Sequence, residues 1–201
     1  MVKYTKVIGI TGGVGSGKSH VCKLIQKHLG YPVLDSDAIS KNQMQKGSKV
    51  FDEVVDFFGT EILNEDGTLN RSALAGIVFQ DDAKLEKLNQ ITHPAVIEEI
   101  RNRISEYAEQ GLPFVFVESA LACSAGYRSF CDEIWMVYAS EQVRRYRLIK
   151  TRGYDDERIS SMFSEQMGEA EMRACCDKVI NNGNMVGDIE ICYQIENLLG
   201  L

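Results

Sequence analysis

Short apolar runs alternate with longer amphipathic stretches along most of the 201-residue chain. Three of the runs, residues 7–10, 114–117 and 134–137, are apolar throughout, as expected of strands that are covered on both faces. The alternation predicts an α/β fold whose parallel sheet carries helices on both sides. The predicted strands are residues 7–11, 32–35, 114–118, 134–138 and 178–180.

Residues 36–113 separate the second and third predicted strands, which is far more chain than one crossover needs. Helical periodicity in residues 51–58, 85–91 and 96–107 predicts a helical insertion here. His93-Pro94 falls between the last two of these stretches, and proline is favoured in the first turn of a helix. We therefore expect one helix to end before His93 and another to begin there.

The charge balance limits the classes of partner. With 22 basic and 29 acidic residues the net charge is −7. We therefore expect no sequence-independent binding to a nucleic-acid backbone. The apolar runs are shorter than the roughly 20 residues of a membrane span, and residues 1–6 lead into the first strand without the apolar region of a signal peptide. We expect a soluble, cytoplasmic protein without a membrane partner; its oligomeric state is left open.

The six cysteines show neither a C-x-x-C pair nor a histidine at zinc spacing. The expectation is that they are reduced thiols of a cytosolic protein. Cys175 and Cys176 are adjacent, a poor geometry for an ordinary structural disulfide between them. The sequence assigns the cysteines no role.

Residues 12–19, Gly-Gly-Val-Gly-Ser-Gly-Lys-Ser, have the spacing of a Walker A phosphate-binding loop. A predicted strand leads into the loop and a helical pattern follows it, so that backbone N–H groups and a helix N terminus converge on phosphate. We expect Lys18 to reach the β and γ phosphates and the Ser19 hydroxyl to bind Mg²⁺. The expected nucleotide-binding residues of this segment are Gly13, Val14, Gly15, Ser16, Gly17, Lys18, Ser19 and His20.

The second predicted strand ends in Asp35-Ser36-Asp37, and the ends of such strands are where α/β folds bind ligands. With the usual right-handed crossover this strand would lie beside the strand that enters the phosphate-binding loop. One carboxylate there is suited to take a proton from an attacking hydroxyl, and a second to order Mg²⁺ or its water shell. The alternative is that Asp35 or Asp37 caps the helix that begins near Ala38.

A basic segment follows the fourth predicted strand. Charge runs of this kind are commonly solvated helix faces. A lid that closes over ATP, however, needs positive charge to neutralise the transition state and to exclude water. The basic residues of the segment are Arg144, Arg145, Arg147, Lys150, Arg152 and Arg158.

These features together predict one P-loop NTPase domain of three layers, with a five-stranded parallel sheet. Its core comprises about residues 1–35, 112–140 and 175–201, the helical insertion about residues 36–111, and the lid about residues 141–174.

Several ordered segments resemble the dephospho-coenzyme A kinase family. They are the loop segment 8–19, Val-Leu-Asp-Ser-Asp-Ala-Ile at 33–39, Phe-Gly at 58–59 with Asp-Gly-Thr-Leu-Asn-Arg at 66–71, Val-Phe at 78–79, His-Pro at 93–94, Gln166, and Asp-Lys-Val-Ile-Asn-Asn at 177–182. The loop alone is shared by many enzymes, whereas the ordered set is specific.

The resemblance implies ATP-dependent phosphorylation of the ribose 3′-hydroxyl of dephospho-coenzyme A, with Mg²⁺. It implies that Asp35 is the base, that Asp37, His93 and the insertion hold the acceptor, and that Asn182 lies near the adenine. It further implies that lid arginines contact ATP, for which Arg145, Arg147 and Arg152 are the candidates, with Arg145 and Lys18 acting in catalysis.

One departure from the family pattern follows the third strand, where Ser-Ala-Leu-Ala-Cys at 119–123 replaces a frequent Pro-Leu-Leu-x-Glu. The hypothesis is that Glu118 supplies the missing carboxylate beside Mg²⁺. Two other functions remain open from the residues: a P-loop kinase for a different small metabolite, and a nucleotide-dependent switch. The switch is disfavoured by the lack of Asn-Lys-x-Asp, the guanine-binding motif.

Overall fold

The computed structural model describes residues 4–201. Its five strands form one sheet, and the ladders of the first strand with the third and fourth, and of the fourth with the fifth, are parallel. The strands are β1 (Lys6–Thr11), β2 (Val33–Asp35), β3 (Phe114–Glu118), β4 (Glu133–Tyr138) and β5 (Lys178–Asn181). The predicted fold class and the five predicted strands are confirmed.

The strand order is β2-β3-β1-β4-β5, so β3 lies between β1 and β2. The prediction that β2 lies beside β1 is therefore wrong. The burial of the strands gives the physical reason: β1 is buried along almost its whole length, as a central strand should be, whereas β2 has three residues and ends in the exposed Asp35. A short, partly polar strand suits the edge of a sheet.

The chain forms two compact units. One consists of the chain up to Leu34 together with Ile104–Leu201, and the other of Asp35–Arg103. The helices, numbered along the chain, are α1 (Lys18–Leu24), α2 (Ser36–Gln43), α3 (Lys49–Phe58), α4 (Arg71–Val78), α5 (Asp82–Glu109), α6 (Glu141–Arg152), α7 (Asp156–Ser164), α8 (Glu169–Cys175) and α9 (Asp188–Leu199). A π-helical turn, Ile25–Leu29, continues α1.

The core of the first unit lies where α1 and α9 pack against the sheet. Ile8, Phe116 and Trp135 from neighbouring strands are fully buried there, next to Ile25 and Ile195. The indole N–H of Trp135 donates to Glu133 Oε2 at 2.6 Å, which satisfies its polar atom. This packing fixes the strands from whose carboxyl ends the loops of the site emerge.

The second unit has a separate apolar core. Val50, Val54 and Phe58 recur at helical spacing on α3 and pack with Ile62 and Leu74. The helix begins at a proper cap, because the Ser48 hydroxyl accepts the N–H of Phe51 at 3.0 Å.

The predicted helix boundary at His93-Pro94 is wrong, since α5 runs from Asp82 to Glu109 with Pro94 inside it. The apolar positions Leu88, Ile91 and Ala95 pack on the core of the second unit on both sides of the proline. This continuous packing stabilises the helix even though Pro94 has no N–H and cannot make its backbone hydrogen bond.

One pair of cysteines is oxidised. Cys123 and Cys175 form a disulfide, with their Cα atoms 5.9 Å apart, so the expectation of reduced thiols is wrong for this pair. The two residues stand 52 positions apart and come from segments that only the folded sheet brings together, which no spacing in the sequence reveals. Cys22, Cys131, Cys176 and Cys192 take no part in a disulfide.

Within residues 4–201, no helix combines the length and apolar character that a membrane crossing requires. The first three residues of the predicted start, 1–3, lie outside the described part of the chain.

Candidate nucleotide-binding site

The loop of residues 12–19 leaves the end of β1 and enters α1, whose N-cap is Gly17. The loop is folded on itself: Ser16 N–H donates to Gly13 O at 3.0 Å, and Lys18 Nζ donates to Gly12 O at 2.8 Å. Gly15 and Gly17 have φ angles of 78° and 90°, which glycine adopts at little cost. The predicted strand, loop and helix arrangement is present.

The loop glycines also leave room for close neighbours. A Cβ atom on Gly13 would overlap the guanidinium of Arg144, and one on Gly17 would overlap the side-chain amide of Asn182. Asn182 is buried and donates from Nδ2 to Ser16 O at 2.8 Å. The segment after β5 therefore holds the loop from one side.

Residues of the predicted lid segment, 141–174, also contact the loop. Arg147 donates to Ser16 O at 3.2 Å and to Gly183 O at 3.4 Å, and Arg144 donates to Val14 O at 3.4 Å. Because Arg144 and Arg147 are three positions apart on α6, they share one helix face. Gln166 adds a third contact, since its Oε1 accepts the N–H of Val14 at 2.9 Å.

The two arginines that contact the loop are half-buried. Burial lowers the pKa of the Arg144 guanidinium and that of Arg147. The Arg144 guanidinium also lies 4.3 Å from the centre of the Phe163 ring, a cation–π contact with α7. Partial desolvation strengthens the interaction of such cations with an anionic ligand.

Ser16 carries the unsatisfied polar atom of the site. Its Oγ is buried and has no hydrogen-bond partner within the described structure. It faces a cavity of about 20 Å³ whose lining includes Gly13, Tyr138, Arg144 and Met172. A buried hydroxyl without a partner is costly, so this geometry fits a loop built to receive the oxygens of a phosphate.

Ser19 and Glu118 form the second polar centre. Ser19 Oγ donates to Glu118 Oε1 at 2.8 Å, and Glu118 is the last residue of β3. A hydroxyl and a carboxylate oxygen side by side are hard ligands of the kind that Mg²⁺ takes in nucleotide sites, so the donor set fits that ion.

Comparison with known proteins assigns the family. The family model described as dephospho-CoA kinase matches residues 6–188. The chain belongs to the dephospho-CoA kinase family. Membership makes it a kinase, a transferase of phosphoryl groups, as the sequence predicts.

Named relatives agree with the family model. The dephospho-CoA kinase of Carboxydothermus hydrogenoformans is 37% identical over 180 residues, which cover 90% of this chain and 87% of the relative. A crystal structure from Thermus thermophilus is 31% identical with a TM-score of 0.82, and covers 98% of both chains. The dephospho-CoA kinase from Campylobacter jejuni, at 20% identity and a TM-score of 0.72 over 98% of both chains, shares the fold.

The acidic residues predicted for this kinase lie around the start of α2. Asp35 is its N-cap, and Asp35 Oδ1 accepts the N–H of Ala38 at 2.9 Å. The alternative interpretation as a cap is thus confirmed for Asp35, while Asp37 is an exposed residue of the first turn. A carboxylate has two oxygens, so the cap leaves Asp35 capacity for a further role.

His93 lies inside α5 and is half-buried, and burial lowers its pKa below the usual 6.5. His20 lies at the start of α1, where its Nε2 is 2.8 Å from Asp188 Oδ1. Both histidines are therefore on helices, and His20 pairs with α9.

The lid arginines predicted from the sequence differ in their surroundings. Arg147 is at the loop, Arg152 is the exposed last residue of α6, and Arg145 is held by carboxylates. Arg145 donates to Asp156 Oδ1 at 2.6 Å and to Glu141 Oε1 at 3.0 Å. These hydrogen bonds to Glu141 and Asp156 raise the pKa of Arg145.

The prediction of lid contacts missed Arg144 and did not assign Gln166 to the loop. Arg144 was detectable, because it stands three positions before Arg147 and so shares its helix face. Gln166 reaches the loop from beyond α7, and only the fold shows that contact.

Proposed function

We propose that this chain transfers the γ-phosphoryl group of ATP to the ribose 3′-hydroxyl of dephospho-coenzyme A, giving coenzyme A and ADP, the last step of coenzyme A biosynthesis. The observation that carries the proposal is the loop of residues 12–19, which has an unpartnered buried Ser16 hydroxyl and lid cations on its backbone, in a chain that matches the kinase family over residues 6–188.

The loop binds the phosphates of ATP. Its backbone N–H groups and the Ser16 hydroxyl donate to phosphate oxygens, and Lys18 exchanges its neutral partner, Gly12 O, for the β and γ phosphates. The loop residues that we assign to ATP are Gly13, Val14, Gly15, Ser16, Gly17, Lys18, Ser19 and His20. Asn182, buried beside Ser16, supports the loop and the adenine side of the site.

The lid neutralises negative charge and excludes water. Arg144 and Arg147 are in position on the loop, and a phosphate oxygen replaces Gln166 Oε1 as the acceptor of the Val14 N–H. We assign Arg145 and Arg152 to ATP as well, with Arg145 exchanging Asp156 and Glu141 for the γ phosphate when the lid closes. Exclusion of water prevents wasteful hydrolysis of ATP.

Ser19 and Glu118 hold Mg²⁺. Bound there, Mg²⁺ would supply positive charge that offsets the negative charge developing on the phosphates. Glu118 thus takes the place of the carboxylate that Cys123 replaces in the family pattern.

Asp35 acts as the base. The ribose 3′-oxygen attacks phosphorus in line, the bond from phosphorus to the bridging oxygen of ADP breaks, and the hydroxyl proton passes to the carboxylate of Asp35. Asp37 and His93 hold the acceptor. Most of the rate enhancement comes from positioning and charge neutralisation. We expect the reaction to take place in the cytoplasm, between small molecules.

The variant Asp35→Asn distinguishes the proposed role of Asp35 as a base from its role as a helix cap. Asparagine caps helices as well as aspartate does, so the variant keeps the bond from Ala38 N–H but cannot accept the proton. Because general-base catalysis contributes typically 10²–10⁴-fold, kcat for dephospho-coenzyme A should fall by about 10²-fold or more while ATP binding is unchanged.

Asp155→Asn is the matched control, since Asp155 caps α7 by accepting the N–H of Arg158 at 2.8 Å. Its kcat should stay within about twofold of the wild type. Mass spectrometry of the product should show one phosphoryl group added to the acceptor. Full turnover in Asp35→Asn would reduce Asp35 to a helix cap and overturn its role as the base.

A further inference from the structure

Three cysteine sulfurs converge at one place in the first unit. Cys123 follows β3, Cys175 is the last residue of α8, and Cys176 is the C-cap of that helix. Cys176 Sγ lies 3.8 Å from Cys123 Sγ and 3.9 Å from Cys175 Sγ, and the other two sulfurs form the disulfide. In the part of the chain that the structure describes, this is the one group of three or more metal-ligating side chains whose donor atoms lie within 4.8 Å of one another.

The spacing of Cys176 from both partners is that of thiolates on one metal ion. Zinc binds thiolates at about 2.3 Å in tetrahedral geometry, which places two sulfur ligands about 3.8 Å apart. Cys176 has this separation from two sulfurs at once. The Cα atoms of Cys123 and Cys175 are 5.9 Å apart, and the three side chains, all partly buried, already point to a common centre.

The charged groups nearby have partners of their own. Arg128 Nη1 donates to Asp177 Oδ2 at 2.7 Å, and the same carboxylate oxygen accepts the N–H of Ile134 at 2.7 Å. Arg128 also donates to Cys175 O. Asp177 is therefore engaged in holding β4 and the start of β5, and the guanidinium of Arg128 offsets negative charge that thiolates would bring.

Burial raises the pKa of the Cys176 thiol to about 11, although the charge of Arg128 opposes the rise. Near neutral pH the free thiol is thus protonated and a weak nucleophile. A bound cation changes this state, because metal coordination deprotonates a thiol outright.

We propose that the reduced chain binds one thiophilic d¹⁰ cation, with Zn²⁺ as the representative ion, through Cys123, Cys175 and Cys176. A dithiol supplies two electrons and two protons to the Cys123–Cys175 disulfide and leaves as a cyclic disulfide. Three thiols then bind the ion and release three protons. Three protein ligands leave a fourth position for water or an added thiol.

The cysteine cluster is linked through α8 to the cavity beside Ser16. Met172 on α8 lines the cavity beside Ser16, and its carbonyl oxygen lies 4.0 Å from Cys123 Sγ. An ion at the three sulfurs would fasten the segment after β3 to the end of the lid. Its principal effect is therefore on stability, and the inference stands whether or not the proposed acceptor is right.

Metal binding by the whole chain tests the inference. The protein is reduced with a dithiol, freed of the reductant by anaerobic gel filtration, and titrated with Zn²⁺; bound zinc is counted per chain. Co²⁺ is used in parallel, because thiolate ligation of cobalt gives a charge-transfer band in the near ultraviolet. The variants are Cys123→Ser and Cys176→Ser, and Cys192→Ser, a partly buried free cysteine outside the cluster, is the matched control.

The expected result is one Zn²⁺ per chain in the wild type and in Cys192→Ser. Binding should weaken at least tenfold in each cluster variant, together with loss of the cobalt band. At a zinc concentration 100 times the dissociation constant, the melting temperature should rise by about 5–10 °C. The inference is overturned if the reduced wild type binds no zinc, if Cys123→Ser binds it as tightly, or if the disulfide stays closed in the native chain under the dithiol.

Discussion

Asn182 illustrates how single residues determine the state of the phosphate-binding loop. It is 4% exposed and donates its side-chain amide to Ser16 O, so that a residue after the last strand supports a loop after the first. The same amide occupies the space in which a Cβ of Gly17 would lie. Asn182 and Gly17 are therefore complementary, and a change in either should affect the loop.

Gly17→Ala should lower the free energy of unfolding by about 2–4 kcal/mol, because it combines a left-handed backbone with a clash against Asn182. The matched control is Gly30→Ala, since Gly30 has a φ of 72° and open space around its Cβ position. That variant should lose only about 1–2 kcal/mol. Urea unfolding of both variants measures the difference. Equal losses of unfolding free energy would mean that the Asn182 side chain moves aside at no energetic cost.

His93 should make the stability of the protein depend on pH. Burial lowers its folded pKa, so above the ordinary value of 6.5 the ring is neutral in both states and contributes nothing to the dependence. As pH falls from 6.5 towards the lower folded pKa, the unfolded chain takes up the proton first, and stability is lost.

The urea midpoints of wild type, His93→Gln and His28→Gln at pH 7.5 and 5.0 test this dependence. His93→Gln should lose less stability between the two pH values than wild type does, whereas substitution of the exposed His28 should leave the wild-type difference in place. A parallel loss in all three proteins would contradict the assignment to His93.

Among the elements, α6 carries the two arginines that contact the loop. Its face at positions 144 and 147 contacts loop carbonyl oxygens, and Arg145, on another face, binds carboxylates at positions 141 and 156. One helix thus carries two kinds of arginine, which the sequence alone presents as a single basic run.

Replacing either loop-facing arginine by alanine should raise the KM for ATP by about tenfold. The lost charge-assisted hydrogen bond is worth about 1.5–3 kcal/mol, and 1.4 kcal/mol corresponds to a factor of ten. Lys150→Ala, at an exposed position in the last turn of the same helix, is the control and should change KM by less than about twofold. Initial rates at saturating acceptor give these constants; a larger effect at Lys150 than at Arg144 would contradict the account.

The sequence predicts most of the strands and helices, but it does not predict which strands lie next to one another in the sheet. The strands of residues 114–118 and 134–138 are readable because burial on both faces demands an unbroken apolar run. The position of β3 between β1 and β2 depends on long-range pairing, which leaves no local signal. Pro94 misled the prediction of α5, since the local preference of proline yields there to the packing of Leu88, Ile91 and Ala95.

At the scale of the whole molecule, the sequence likewise predicts one part of the functional sites and not the rest. The loop of residues 12–19 is predictable because phosphate recognition requires that spacing, and Ser19 lies against Glu118 as the hypothesis for Mg²⁺ requires. The contact of Gln166 with Val14 and the convergence of Cys123, Cys175 and Cys176 join distant parts of the chain. No local pattern predicts them, because each partner has an ordinary sequence context.

The central claim is that dephospho-coenzyme A is the phosphoryl acceptor. The most direct measurement is ADP release from ATP and Mg²⁺ by the purified chain, with and without dephospho-coenzyme A, and with a nucleoside and a nucleotide as competing acceptors. We predict that dephospho-coenzyme A stimulates ADP release strongly, that the competitors do not, and that one coenzyme A forms for each ADP. ADP release that dephospho-coenzyme A leaves unchanged, from a chain that binds ATP, would contradict the proposed reaction.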